Sequence, residues 1–519
     1  DESLLETGGR LIFAHDYMRQ AVMQRYLAQA GRQRLAHRAL AHWFASQPAD
    51  ARRAEEEPFQ WRQAGEWTRL HRFLTDRAVF LAFRQAWPWH TLLAYWLDLA
   101  QHRGLQVEDG YRRAWARWSR GQETPQRLVA GTALQTFLSA AGCCGPFAVK
   151  LARQCVTWLE AMEGADGDIA RKARLEYAGL LIERGDHVQA GRLLRRLLQD
   201  LQSRPPLQQS NLVADTHHSL ADLHFSRNEF VKALPLYQEA LRIQEAQSGP
   251  HSIKVARYLS GIGLALHDLG QLPQARAPLE RALAIARRVH GQRHRDTATA
   301  VNNLGRLLSD MGEIAQARDL FKQSMQTLED LFGSEHPNVA LPMGNLASLE
   351  LQQKNLDVAR PLYERDIRLI EQQLGPQHPS LANPLINLAE VLRLSEEPAP
   401  AVDLLRRASV ILESVHGVAH PRNAQCLHLL AHILKGSQRY EEALEVMAQE
   451  LTIVEHTEGP ESDSFAISLQ QRGDLLAKLE RPVEAAPSLQ RALAIVVQKY
   501  AADSAQVAAV SASLAMVRL

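Results

Sequence analysis

The stretch Val301-Asn-Asn-Leu-Gly-Arg-Leu-Leu308 places apolar residues at 301, 304 and 308. That i, i+3, i+7 spacing is one face of a helix. A polar turn, Asp310-Met-Gly-Glu313, interrupts it, and a second apolar face follows through Ala317, Leu320, Phe321 and Leu328. Gly333-Ser-Glu-His-Pro337 then breaks the pattern. Glycine suits a left-handed backbone after a helix, where a Cβ is penalised. Proline suits the first turn of the next helix, where no N–H is needed. The pattern predicts two antiparallel helices and a loop.

The unit recurs. Gly249, Gly291, Gly333, Gly375, Gly417 and Gly459 follow one another at a step of 42, and Ala233, Ala275, Ala317, Ala359, Ala401, Ala443 and Ala485 keep that step. A helical pair cannot bury both its faces alone, so such units stack, and stacked repeats usually bind rather than catalyse. Small residues at Gly263, Gly305 and Ala347 lie twelve positions before the alanines at 275, 317 and 359, and Leu279, Phe321 and Tyr363 follow those alanines by four. With Asn-Asn-Leu-Gly and Gly-x-x-His-Pro, this resembles the tetratricopeptide repeat in the extended form found in kinesin light chains. The usual unit of about 34 residues is lengthened by about one turn per helix. The resemblance implies an all-α, right-handed superhelical solenoid whose first helices line a concave wall.

The array spans 210–503, with a capping helix at 504–519. Weaker units precede it over 121–209: Arg171–Gln199 fits the pattern around Ala178 and Ala190, and Gln126–Glu160 reads as a degenerate unit. Eight of the nine tryptophans lie at or before Trp118, which marks residues 51–120 as a separate aromatic-rich helical linker. Within it, Gln101–Gly110 reads as a connector, and Trp89 and Trp96 as core in preference to an assembly surface.

Residues 1–50 contain Leu11-Ile-Phe-Ala-His-Asp-Tyr-Met-Arg-Gln-Ala-Val22, a short strand entering a helix at His15-Asp16. This resembles the end of the winged-helix region of STAND-class NTPases, the signalling ATPases that include NACHT proteins. The linker is similar to that of nephrocystin-like proteins, which join such an ATPase to kinesin-light-chain-type repeats. The resemblance implies that His15 senses a bound ADP phosphate, since an imidazole N–H can donate to it. It also implies ADP or ATP on the full-length protein and homo-oligomerisation on activation. The plainer alternative is a helix-capping Asp16 beside a half-buried His15. No G-x-x-x-x-G-K-[ST] motif occurs, so this chain lacks the phosphate cradle and an NTPase core is expected upstream of Asp1. The missing initiator methionine points to a fragment or a processed product.

Composition narrows the classes. Lys+Arg total 59 against Asp+Glu 58, which gives no bulk attraction for nucleic acid or an anionic membrane. No apolar run reaches the length of a membrane span. The four cysteines, Cys143, Cys144, Cys155 and Cys426, form no C-x-x-C pair. A reducing, cytoplasmic setting fits better than a disulfide framework or a zinc site.

The spaced histidines His294, His336, His378 and His420 invite a metal reading. Neighbouring helices stand about 8–10 Å apart, too far for one ion to bridge successive repeats easily, so loop packing is preferred. Gly261-Ile-Gly263 opens like a dinucleotide fingerprint, but no strand precedes it and close helix packing explains it. No H-E-x-x-H or G-x-S-x-G motif appears, and the chain is not expected to be an enzyme.

The candidate site is therefore a groove. Asn303, Asn345 and Asn387 recur on successive first helices, with Asn302 beside the first. They read either as a ladder gripping an extended peptide backbone or as bonds between repeats. Groove-facing positions by helical geometry hold His218, Asp222, Ser260, Asn302, Arg306, Glu390 and His428, and one turn further His267, Arg393 and Lys435. Their mixed signs argue against a simple clamp for acidic peptides. The leading expectation is a protein- or peptide-sensing, autoinhibitory half of a STAND-type ATPase. The alternative is a passive scaffold or cargo adaptor of kinesin-light-chain type.

Overall fold

The computed structural model describes residues 4–7, 10–13, 29–48, 50–86, 89–141, 143, 145–164, 167–204, 210–334, 336–416, 420–501 and 504–518. Strands Leu4–Thr7 and Arg10–Phe13 form an antiparallel hairpin with Leu5 opposite Ile12. Every other regular element among the described residues is helical. His15 and Asp16 lie outside the described residues. No described helix is long and apolar enough to cross a membrane.

The chain divides into two compact units, Asp1–Gly291 and Gln292–Leu519. In the first, one core runs from Ala41 to Cys155, and Tyr111 stands inside it. Its ring meets Phe80, Trp96, Trp118 and Phe137. Its hydroxyl donates to the Leu74 carbonyl (3.0 Å) and accepts from Trp96 Nε1 (3.3 Å). Trp118 Nε1 likewise donates to the Thr75 carbonyl. Each aromatic thus buries its ring and still satisfies its polar tip. Trp96 is fully buried, as core; the Trp89 side chain lies outside the described residues.

The connector expected over Gln101–Gly110 shrinks to residues 104–106, between helices Trp89–Arg103 and Val107–Trp118. The reason is contact: a Cβ on Gly110 would meet the Trp96 ring at 2.2 Å, so the glycine admits a close crossing, not a turn. Glu108, in the first turn of Val107–Trp118, reaches the start of helix Pro146–Glu163. It accepts from the backbone N–H of Gly145, Phe147 and Ala148 at 3.1, 2.8 and 3.2 Å. A carboxylate there satisfies donors the helix leaves open.

Beyond residue 167 the first unit is built of hairpins: Asp168–Glu183 with His187–Gln202, Asn211–Ser226 with Phe230–Ser248, and Ile253–Asp268 with Leu272–His290. The second unit continues the plan with Arg295–Asp310 and Ile314–Phe332, Ala340–Gln352 and Leu356–Leu374, Ala382–Leu394 and Pro398–His416, Pro421–Gly436 and Tyr440–Glu458, and Asp463–Lys478 and Pro482–Lys499. Helix Ala505–Arg518 packs on the last pair and buries Val507, Val510 and Leu514.

The small positions act as read from the sequence. A Cβ on Gly263 would strike Leu279 at 2.5 Å, and one on Gly305 would strike Phe321 at 2.9 Å. Gly375 closes its helix at φ 92, ψ 163, a region essentially confined to glycine. Each hairpin also turns through one positive-φ residue. Gly185, Gly270 and Gly312 take that place in three hairpins, and Asn228, Lys354, Glu396, Gln438 and Glu480 take it in the other five.

Candidate functional site

Successive first helices touch within each unit: Asn211–Ser226 meets Ile253–Asp268, and Ala340–Gln352 meets both Arg295–Asp310 and Ala382–Leu394. Their adjoining faces make a wall in each unit, and the residues singled out from sequence sit on these walls in clusters.

In the first unit His218 packs against the rings of Tyr237 and Tyr258, at centroid distances of 5.4 and 4.8 Å. Its Nδ1 lies 3.1 Å from Asp222. Tyr237 donates to Asp222 and Tyr258 to Asp215, both at 2.6 Å, and Lys254 also donates to Asp215. Burial and these neighbouring carboxylates push both phenols well above the ordinary tyrosine value. His267 is buried with Nδ1 2.8 Å from Asp268, and Ser260 is half-buried.

In the second unit Asn345 donates to Asn302 Oδ1 across the repeat boundary at 2.9 Å. Asn387 and Ser348 hydrogen-bond the buried Tyr363 hydroxyl. These asparagines bond within the array, and the pair that forms is Asn302–Asn345, with Asn303 half-buried beside it. Arg393 grips Glu390 through two bonds of 2.7 and 2.6 Å. Arg306 and Lys435 are half-buried on the same face. His428 Nδ1 lies 2.9 Å from Glu450 Oε1, which also accepts from Ser468 at 2.8 Å. That hydrogen bond to the buried carboxylate raises the His428 pKa above the ordinary value.

The spaced histidines have a definite role. His294, His336, His378 and His420 each accept, through Nδ1, the backbone N–H two residues on, at 3.1 to 3.2 Å. His294, His378 and His420 occupy the cap that serine or aspartate usually fills, and the acceptor role of Nδ1 places the ring proton on Nε2.

Sequence reasoning missed Asp366. At the same 42-step position the chain carries Ala240, Ala282, Ser324, Asp366, Ala408, Glu450 and Ala492. Asp366 is 5% exposed, and its Oδ1 is buried with no hydrogen-bond partner. Burial raises its pKa to about 7. An acid in a register of alanines was the available signal.

A family model described as the tetratricopeptide repeat matches residues 212–288, 254–330, 296–365, 338–414 and 422–498. The comparison with curated proteins finds no match. Among solved structures, BtubC (BKLC) from P. vanneervenii is similar at 23% identity over 49% of this chain and 95% of its own, with a TM-score of 0.36. A Podosopora anserina putative kinesin light chain with nearly identical TPR-like repeats is similar at 22% identity over 40% and 98%, with a TM-score of 0.35. The apo form of the quorum sensor NprR from B. thuringiensis is similar at 15% identity over 71% and 97%, with a TM-score of 0.48.

Proposed function

Because the chain belongs to the tetratricopeptide repeat family through more than half its length, we propose that its first-helix wall recognises a protein or peptide segment, as the sensing and autoinhibitory half of a STAND-type signalling ATPase. A tetratricopeptide array is a protein-interaction region. The observation that carries the reading is the wall itself: mixed-sign polar side chains held on rigid helices by one another. Glu390 with Arg393, His428 over Glu450 and Asn345 with Asn302 present donors and acceptors in fixed positions, and pre-set polar groups lower the ordering cost of binding an extended chain.

The link to a nucleotide module rests on the resemblance of residues 1–50, supported by the strand Arg10–Phe13, and on the aromatic unit that follows. In this mechanism the trigger must bind the active state better than the resting one. The test uses the full-length protein. ADP should co-purify with it, the His15→Ala variant should lose that ADP, and deletion of 210–503 should change basal activity. Protein carrying no nucleotide, with unchanged basal activity after the deletion, would leave the adaptor reading in its place.

A further inference from the structure

Asp366 and Glu450 occupy equivalent positions two repeats apart, and their surroundings differ in an instructive way. Glu450 is bonded twice: by His428, which precedes it by 22 residues on the first helix of its own repeat, and by Ser468, which follows it by 18 on the next. The residues at those offsets from Asp366 are Gly344 and Pro384. Neither side chain can donate a hydrogen bond. Asp366 therefore stands where an acid has a designed partner elsewhere in this chain, with both partners removed.

The glycine also leaves an opening. A Cβ built on Gly344 would have one neighbour within 4 Å, the Asp366 Oδ2 at 3.2 Å. In the array Gly261, Gly263, Gly305 and Gly473 also face a second helix, and there the space is filled by Tyr237, Leu279, Phe321 and Leu489 at under 3.0 Å. Gly344 lies on the wall at the position that carries His218, Ser260, Asn302 and His428 in other repeats. The wall thus has a notch one side chain deep with the Asp366 Oδ2 at its floor, on a carboxylate whose other oxygen, Oδ1, is buried without a hydrogen-bond partner.

We propose that the Gly344 notch is a binding position for a cationic side chain, the guanidinium or ammonium group of an Arg or Lys in a segment lying along the wall. Asp366 accepts from it as Glu450 accepts from His428. An ionised carboxylate in low dielectric needs a hydrogen-bonded counter-charge, and a straight basic side chain has the reach and the donors to supply one from the groove. The same site rejects an acidic residue. This inference rests on the groove reading and sharpens it: the ligand carries a basic residue at the place that meets this repeat.

The test uses the full chain and fluorescein-labelled short peptide pools, random except for a central Arg, Lys or Ala, read by fluorescence anisotropy. The Arg and Lys pools should bind about tenfold more tightly than the Ala pool. Asp366→Ala should abolish that preference and leave the Ala-pool affinity unchanged. Gly344→His, which fills the notch with the partner Glu450 already has, should do the same. Alanine occupies the Asp366 position in four other repeats (Ala240, Ala282, Ala408 and Ala492), so the first variant keeps the fold, and circular dichroism verifies it. A preference that survives both variants, or no preference in the unmodified chain, would overturn the notch. Failure of every pool to bind, the Ala pool included, would overturn the groove reading instead.

Discussion

Replacing Asp366 by alanine should stabilise the free chain, and by more at high pH than at low. Burial moves this carboxyl from 3.8 to about 7. Between those values the unfolded chain has lost a proton that the folded chain keeps. Wild-type stability therefore falls as pH rises through that window and levels off above it. A shift of about three units corresponds to a ceiling of about 4 kcal/mol. Water entering above Gly344 and the small cavity left by the substitution reduce the expected net gain to about 2 kcal/mol at pH about 8. Tyr363, one turn earlier on the same helix, is pushed up to about 12 by burial and does not titrate in the window. Urea midpoints of both proteins at pH about 4.5 and about 8 measure the effect. Amide exchange in Ala340–Gln352 and Leu356–Leu374 localises it, because repeat arrays open by neighbouring units. A variant no more stable than wild type at the higher pH, or a gap that narrows as pH rises, would refute the reasoning.

Other outcomes follow from the turns and caps. Lys354→Gly, Glu396→Gly and Glu480→Gly relieve a positive φ and should each raise stability by about 0.5–1 kcal/mol in urea unfolding. Gly375→Ala should cost about 1–3 kcal/mol, since its φ, ψ pair suits glycine alone. His378→Ala should cost about 1 kcal/mol through loss of the cap. Burial lowers the His378 pKa below 6.5, so the cap's contribution is complete above 6.5 and is lost as pH falls through the lowered value; a variant whose stability deficit is the same at acid and neutral pH would contradict this. Glu108→Gln removes the carboxylate shared by three backbone donors and should cost about 1–3 kcal/mol in thermal unfolding.

The repeat was legible because its markers are backbone constraints. Gly375 is required by a φ, ψ pair and Gly305 by the approach of Phe321, and neither depends on ligand or context. The spaced histidines were visible as a period, but their capping bonds depend on the loop's path and cannot be read from spacing. The asparagines show the same limit: a step of 42 groups Asn303 with Asn345, whereas the stagger of adjacent helices brings Asn302 to Asn345. The connector at residues 104–106 was drawn too long because Gly110 looks like a breaker until the Trp96 ring is placed against it. Asp366 could have been found by reading each column of the repeat for misfits, as an acid among alanines. What no column shows by itself is that Glu450 takes its hydrogen bonds from the two positions that Gly344 and Pro384 fill around Asp366.

Arginines on the second helices reach back to the loop that closes the preceding unit. Arg281 holds Glu245 and the Pro250 carbonyl, Arg365 holds Glu329 and the Ser334 carbonyl, and Arg407 holds Glu371 and the Pro376 carbonyl. Arg491 reaches Glu461 in the same way. In that column Glu239, Gln323 and Gln449 stand where the others carry arginine. Under tension along the chain these contacts are latches loaded in shear, and a latch made of charge-assisted bonds outlasts a neutral one. Stretched between its ends, the second unit should yield at the Gln449 junction before the arginine ones, so that a pulling experiment would see it extend in unequal steps, with its compliance concentrated at residue 449.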